Sequence, residues 1–317
     1  MNIIRNLNEL NAPLNAPVLT IGNFDGVHKG HLALFDRVKE RARAIGGSGV
    51  VLTFDPHPMT LMLPQNAPLM ITPIPQKLRL IEAAGLDAIL CIPFDRAFSV
   101  ISARDFVTDI LLDKIGIKEL VVGYDYSFGH RREGDISLLK EMGEQYGFTV
   151  HVLGQITIDD VTVSSTSIRR MVQSADLEGA RKLLGRDYQI CGTVIAGKNR
   201  GGRLLGFPTA NLKLIDELIP KRGVYAVRVL IDDQCYDGLT NIGYNPTFED
   251  RQLSVETHIL DFSEDIVGKT IRVNFIQRLR DEETFDSVEA LADMIRRDVE
   301  RTRALFGKTG PCARQDK

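Results

Sequence analysis

A chain of 317 residues is long for one domain and comfortable for two. With 44% hydrophobic and 26% charged residues, the composition is that of a globular protein burying a sizeable core, not of a disordered or fibrous chain. The formal net charge of −3 excludes a global basic field that would draw nucleic acid or an anionic membrane, so any anionic ligand must be held by local arrangement. Cys91, Cys191, Cys235 and Cys312 are scattered without a C-x-x-C pair. A disulfide framework or a zinc site is therefore not expected, and a reducing compartment fits. The N-terminus has no charged-then-apolar leader pattern, and no apolar run approaches the roughly 18 residues a membrane helix needs. A cytoplasmic protein is the expectation.

In chain order, β-rich runs at 18–21, 50–54, 88–93, 120–123 and 149–153 alternate with helical patterns. Over 31–44, Leu34, Phe35, Val38 and Ala42 share one face before Gly46-Gly47 stops the helix. Alternation of strand and helix predicts a parallel sheet covered on both faces. A short helix is predicted over 175–184, ended by Gly185. After Tyr188 the rhythm changes. Runs at 189–195, 224–231, 253–260 and 270–276 are rich in β-branched residues and separated by turn residues, which reads as an antiparallel sheet or barrel. One long helix closes the chain, with a capping-box-like start at Asp286 and Glu289 followed by Leu291, Ile295 and Val299 at helical spacing. The predicted fold class is α/β: a Rossmann-like domain at 1–186, a small antiparallel β-barrel with a terminal helix at 187–310, and a tail at 311–317.

The run Gly22-Asn23-Phe24-Asp25-Gly26-Val27-His28-Lys29-Gly30-His31 follows the first of these strands and opens the first helix. In an open parallel sheet ligands bind at that position, and a helix N-terminus offers free N–H groups and positive potential to phosphate. As an isolated H-x-x-H pair, His28 and His31 could equally be satisfied turn residues or metal ligands, though no third ligand stands at helpful spacing. Farther on, Ser164-Ser165-Thr166-Ser167-Ile168-Arg169 sets hydroxyl residues at a helix start, where they cap N–H groups or yield them to phosphate, with Arg169 as a charged fork.

The ten-residue run resembles the signature of the H-x-G-H nucleotidyltransferase family, and the second run resembles that family's S-S-T-x-I-R motif. The family transfers AMP or CMP from a nucleotide to an acceptor phosphate or acid. The resemblance implies that Gly22, Asn23, Phe24, Asp25, Gly30, Ser164, Ser165, Thr166 and Arg169 bind ATP and its phosphates, with His28 and His31 catalytic. Two further runs, Phe54-Asp55-Pro56-His57-Pro58 and Val122-Gly123-Tyr124-Asp125-Tyr126-Ser127-Phe128-Gly129, resemble the FMN adenylyltransferase half of bacterial bifunctional riboflavin kinase/FAD synthetases. They imply flavin contacts at Phe54, Pro56, Pro58, Asp125 and Phe128. At Tyr126-Ser127 the family more often has Phe-Arg. From the residues alone, Phe54 equally reads as the end of a core strand.

In the second half, a cationic, Gly-rich stretch, Gly197-Lys198-Asn199-Arg200-Gly201-Gly202-Arg203, leads into Leu204-Leu205-Gly206-Phe207-Pro208-Thr209-Ala210-Asn211. On an extended segment Thr209 and Asn211 point to the same side. Their hydroxyl and amide oxygens suit Mg²⁺, although a polar strand face explains them as well. The fragments Gly268-Lys269-Thr270 and Gly307-Lys308-Thr309 are not P-loops, having Ser263 and Thr302 where the motif needs glycine. Between 253 and 262 the alternation puts Glu256 and His258 on one face.

These stretches, with Asn241-Ile242-Gly243-Tyr244-Asn245-Pro246-Thr247-Phe248, resemble the riboflavin kinase family. The resemblance implies Glu256 as general base; Gly197, Arg203, Gly206, Thr209 and Asn211 as ATP ligands; Thr209 and Asn211 as the residues holding Mg²⁺; and Arg280 and Glu282 as flavin contacts. As bare sequence the last two also read as a surface charge run. Together the two resemblances imply a bifunctional enzyme using ATP to convert riboflavin to FMN and FMN to FAD, with small molecules rather than nucleic acid or membrane as partners. Two other readings stand beside it: a different H-x-G-H nucleotidyltransferase fused to a β-domain, and a non-catalytic flavin-binding protein.

Overall fold

Gly46, in the left-handed region at φ 64°, ends the first helix where the double glycine predicts it. That helix belongs to a computed structural model describing residues 2–10, 14–196, 206–214, 217–232, 234–244 and 253–309. The chain divides into two units, the first comprising 1–69 and 74–165, the second 70–73 and 166–317.

The first unit is a six-stranded, fully parallel sheet in the order β1-β4-β3-β2-β5-β6. Its strands are β1 (Asn2–Ile4), β2 (Val18–Ile21), β3 (Gly49–Asp55), β4 (Ala88–Pro93), β5 (Glu119–Gly123) and β6 (Thr149–Leu153). Five match the predicted runs; β1, three residues long, lies outside them. Helices α1 (Lys29–Ile45) and α2 (Ile74–Ala83) contribute to the core on one face, where Phe35, Val38, Leu78 and Ile81 meet Val51, Ile89 and Val121. Burying each such side chain contributes about 1.5–3 kcal/mol. On the other face α3 (Phe106–Ile115), which is π-helical, and α4 (Ile136–Tyr146) bury Val107, Leu111, Leu139 and Met142 against Leu19, Leu52 and Leu120. The strand order reverses at β2, which pairs with β3 on one side and β5 on the other. Its carboxyl end is therefore the topological switch point. Arg41 of α1 clamps the buried Glu119 of β5 through two bonds of 2.8 Å, and His151 of β6 reaches the same carboxylate at 2.7 Å. The Arg41 hydrogen bond holds the Glu119 carboxyl below its usual range.

After a small hairpin, β7 (Thr157–Ile158) and β8 (Val161–Thr162), come α5 (Ser165–Ser174) and α6 (Leu177–Leu184). The predicted 175–184 helix starts two residues late, because Ala175 sits at φ 65° and Asp176 caps Gly179 N–H at 2.9 Å.

The second unit closes into a barrel in the order β10-β13-β12-β11-β14-β9, every neighbouring pair antiparallel. The strands are β9 (Tyr188–Ile195), β10 (Ala210–Lys213), β11 (Gly223–Ile231), β12 (Gln234–Tyr244), β13 (Leu253–Ile259) and β14 (Thr270–Arg280). Closure removes the exposed edges that an open sheet would present. Tyr188, Tyr225 and Phe275 fill the interior. The terminal helix α7 (Val288–Thr309) packs on β12, and Arg303 holds Asp261 through bonds of 2.9 and 2.7 Å. Its first turn is capped by Ser287, whose hydroxyl accepts from Ala290 N–H at 3.1 Å, one residue beyond the predicted Asp286. Cys91 and Cys191 are reduced, outside any disulfide. Cys235 is disulfide-bonded, a departure from the all-thiol chain that a reducing compartment favours.

Glu217 is a buried carboxyl beside β9, where Cys191 N–H donates to both its oxygens at 3.0 and 3.2 Å. Burial pushes its pKa up to about 8. Because the folded value exceeds the unfolded one, its contribution to stability is complete below about pH 4.5 and is lost as pH rises through about 8. Glu217→Gln is expected to flatten the fall of thermal stability across that window, measured as Tm against pH beside the parent chain. An unchanged slope would refute the assignment.

Candidate functional sites

At the end of β2 the chain makes a tight, strained passage before α1. Phe24 and Val27 hold φ of 49° and 38°, and Gly26 of 89°; such backbone in non-glycine residues costs of order 1–3 kcal/mol each and concentrates at functional sites. Phe24 fixes the passage by packing edge-on against His31 and Phe35, with ring centroids 5.2 and 5.0 Å away. A methyl on Gly22 would meet the Phe24 ring at 3.0 Å.

His28 is the N-cap of α1. His28 Nδ1 accepts from His31 N–H and His31 Nδ1 from His28 N–H, both at 3.3 Å, so the two histidines form a reciprocal capping box. Their rings stack with centroids 3.5 Å apart. Gly30 lies against them, since a methyl there would stand 3.1 Å from the His28 ring and 3.6 Å from Val163 O. The second motif begins alongside: Ser165 Oγ donates to Asp25 O at 2.8 Å. Thus Gly22, Asn23, Phe24, Asp25, His28, Gly30 and His31 stand at one helix start with Ser164 and Ser165 next to them in the first unit. Thr166 and Arg169 follow on α5 within the second unit.

Phe54, next to last in β3, opens an aromatic chain running through Phe94, Phe98 and Phe106 to Phe128 and Tyr126, each ring centroid within 6.0 Å of the next. Pro56 follows a cis peptide bond, and Pro58 opens a short helix, Pro58–Met62, capped by His57. Asp125 is exposed just after β5, its Oδ1 3.4 Å from where a Gly123 methyl would stand. Ser127 Oγ accepts from Arg132 Nε at 2.7 Å, which brings a guanidinium to the position where the resemblance more often has arginine.

Sequence reasoning missed Lys77. It lies on α2 between Ile74 and Ile81, and its Nζ donates to Asn23 O, Thr53 Oγ1 and Phe54 O. The signal was available: Ile74, Lys77, Leu78 and Ile81 share one stripe at i, i+3, i+4, i+7, and a lysine in an apolar stripe needs internal partners.

In the barrel, Glu256 of β13 has Asn211 of β10 as its register partner on one side and Asn241 of β12 on the other. Val255, Thr257 and Ile259 are buried and Glu256 and His258 half-buried, so the predicted alternation holds. His258 Nδ1 donates to Pro208 O at 2.8 Å and packs against Phe207, tying the segment that carries Thr209 to β13. Gly206 is exposed at φ 81°. Asn241, which sequence reasoning left without a role, completes a row of amide, carboxylate and amide across three strands. Gly243 lies on the same strand, where a methyl would collide with the Glu282 carboxylate; Glu282 is also 4.0 Å from Arg222. Arg280 is turned to α7, its Nε donating to the buried Asp298 at 2.8 Å. Gly197 and Arg203, like Asn245–Phe248 (positions 245–248), lie outside the described residues.

The family model described as FAD synthetase matches residues 11–167, and that described as riboflavin kinase matches 184–306. The bifunctional riboflavin kinase/FMN adenylyltransferase of Escherichia coli (strain K12) is 39% identical over 313 residues, covering 98% of this chain and 100% of that protein. The protein of the same description from Pseudomonas fluorescens is 40% identical over 306 residues, 96% of this chain and 98% of that one. Among solved structures, one described as a macrolide-efflux protein from Streptococcus pneumoniae superimposes with a TM-score of 0.84 at 32% identity, covering 95% of this chain and 98% of that one. Among the described residues no helix is long and apolar enough to cross a membrane.

Proposed function

The chain belongs to the family of bifunctional riboflavin kinase/FMN adenylyltransferases, and from that premise we propose how its residues divide the two reactions. The C-terminal domain phosphorylates riboflavin to FMN with ATP, and the N-terminal domain adenylylates FMN to FAD. Riboflavin, FMN, FAD and ATP are its small-molecule partners.

The two acceptors differ in charge, and the two sites differ to match. Riboflavin's terminal hydroxyl is barely ionised at neutral pH, so its attack on the γ-phosphate needs a positioned base. Glu256 takes that proton. Its place between Asn211 and Asn241 is the observation that carries the reading, because a carboxylate set among amides keeps a fixed orientation. Thr209 and Asn211 would hold Mg²⁺: hydroxyl and amide oxygens are hard donors of the kind it takes beside phosphate oxygens and water. Bound there, Mg²⁺ would neutralise charge on the transferring group. Gly197, Arg203 and Gly206 complete the ATP contacts and Glu282 borders the flavin. Arg280, its Nε held by Asp298, borders the flavin as well.

FMN brings a phosphate that is already anionic, so its attack on the α-phosphate requires no base. What it requires is donors for the charge that builds at phosphorus and on the departing pyrophosphate. His28, His31 and the first amides of α1 supply them, with Gly22, Asn23, Phe24, Asp25, Gly30, Ser164, Ser165, Thr166 and Arg169 around the nucleotide. Phe54, Pro56, Pro58, Asp125 and Phe128 border the flavin. The cytoplasm, which supplies ATP, is the proposed compartment.

Incubating the purified protein with riboflavin, ATP and Mg²⁺ and separating the flavins chromatographically tests the scheme. FMN is expected first and FAD second, and chelating Mg²⁺ is expected to stop FMN formation. FMN formation that persists in excess chelator would remove the metal from the mechanism.

A further inference from the structure

Lys77 has no exposed surface at all. Its three contacts are close to equal: Asn23 O at 3.1 Å, Thr53 Oγ1 at 3.0 Å and Phe54 O at 3.1 Å. Thr53 Oγ1 in turn donates to Asn23 O at 3.2 Å. An ammonium carries three protons and no lone pair, so three oxygens satisfy it completely. A neutral amine would turn a lone pair toward one of them. Burial alone pulls the Lys77 pKa down, while the Cys91 thiol and the carboxylates of Asp25 and Asp55 act in the opposite sense. A buried cation thus stands behind the loop that opens α1.

The partners of that cation are not scattered. Asn23 belongs to the strained passage between β2 and His28, and Thr53 and Phe54 are the last turnings of β3 before Asp55-Pro56. One side is the nucleotide loop and the other the start of the flavin wall. Neither stretch is held to the other there by ladder bonds, since the β2–β3 register ends at Ile21 and Leu52 and the last bond between them is Gly22 N–H to Leu52 O at 3.1 Å. We propose that Lys77 is a positioning residue for adenylyl transfer: its ammonium locks the carbonyls of Asn23 and Phe54 together beyond the end of the β2–β3 pairing and so sets the distance between the ATP loop and the flavin-facing end of β3. The proposal rests on the assignment of adenylyl transfer to this end of the sheet.

Lys77→Met keeps the length of the side chain and removes the charge and all three donors. A displacement of about 1 Å in a bound reactant costs up to roughly 10²-fold, so kcat/KM for FAD formation is expected to fall about 10–10²-fold. Loss of registration between two binding stretches raises the KM for both ATP and FMN. A purely structural role would instead lower the amount of active enzyme and leave KM unchanged in the surviving molecules. Riboflavin phosphorylation by the same preparation reports on the barrel and on the amount of protein, and is expected to stay at the parent level; an unchanged Tm reports on the first unit. Thr53→Val, which deletes the hydroxyl bridge but keeps the cation, is expected to raise both KM values less, and it serves if Lys77→Met fails to fold. Unchanged KM values in both variants would overturn the proposal. His28→Ala assayed alongside separates the two layers of the argument: if that variant makes FAD normally, the site assignment itself fails; if it loses FAD formation while Lys77→Met and Thr53→Val keep parental KM values, only the role of Lys77 fails.

Discussion

FAD formation by His28→Ala is expected to fall about 10²–10³-fold, the usual loss when one donor to a charged transition state is removed, while FMN formation stays close to the parent rate. The structure adds a complication to the test. His28 also caps α1 and stacks on His31, so alanine removes a helix cap worth about 1 kcal/mol as well as a ring. His28→Ser keeps a capping oxygen and separates the two effects: Tm should return toward the parent value while FAD formation stays low. Recovery of FAD formation in His28→Ser would mean that the histidine acts by ordering the helix start and not as a donor. Equal loss of FMN and FAD in His28→Ala would refute the division of labour between the domains.

Glu256→Gln is the complementary case. Glutamine preserves the shape of the side chain and leaves the register with Asn211 and Asn241 undisturbed, but it cannot take a proton. Loss of a general base costs about 10²–10⁴-fold, so riboflavin is expected to persist unphosphorylated. When FMN is supplied, its conversion to FAD should proceed at the parent rate. Retained kinase activity would remove Glu256 from its role. FAD formation by the same sample reports on the first unit, and an unchanged Tm of the barrel reports on the second.

Much of this architecture is legible in sequence where period and chemistry coincide. The central parallel strands read as largely apolar runs, and these and the exposed edge strand β6 are found within a residue of where the sequence puts them. Strand β12 escapes the same reasoning, because Asp237, Gly238, Thr240, Asn241 and Gly243 interrupt its apolar pattern; its pairing comes from β11 and β13 on either side. Helix ends shift for local reasons, since Ser287 competes successfully with Asp286 as a cap and Ala175 adopts the left-handed region that splits α5 from α6. At the sites, the conspicuous histidines and Glu256 could be picked out by motif. Lys77 could not, because its value lies in three oxygens distant in sequence; Asn241 stands in a motif run, but its place beside Glu256 shows only in the pairing of β12 with β13.

Residues 70–73 group with the second unit although the chain on both sides of them belongs to the first. Leu218 N–H donates to Met70 O at 2.9 Å, and Met70 forms a parallel bridge with Glu217, the same residue whose carboxyl is buried beside β9. The backbone therefore passes between the units three times, and no single cut can part them cleanly. A C-terminal half produced by itself would start life with the Leu218 amide lacking its native acceptor and with the surroundings of Glu217 opened to water. Attempts to express the halves separately should supply that tetrapeptide in some form, or expect a barrel whose pH response differs from that of the intact chain.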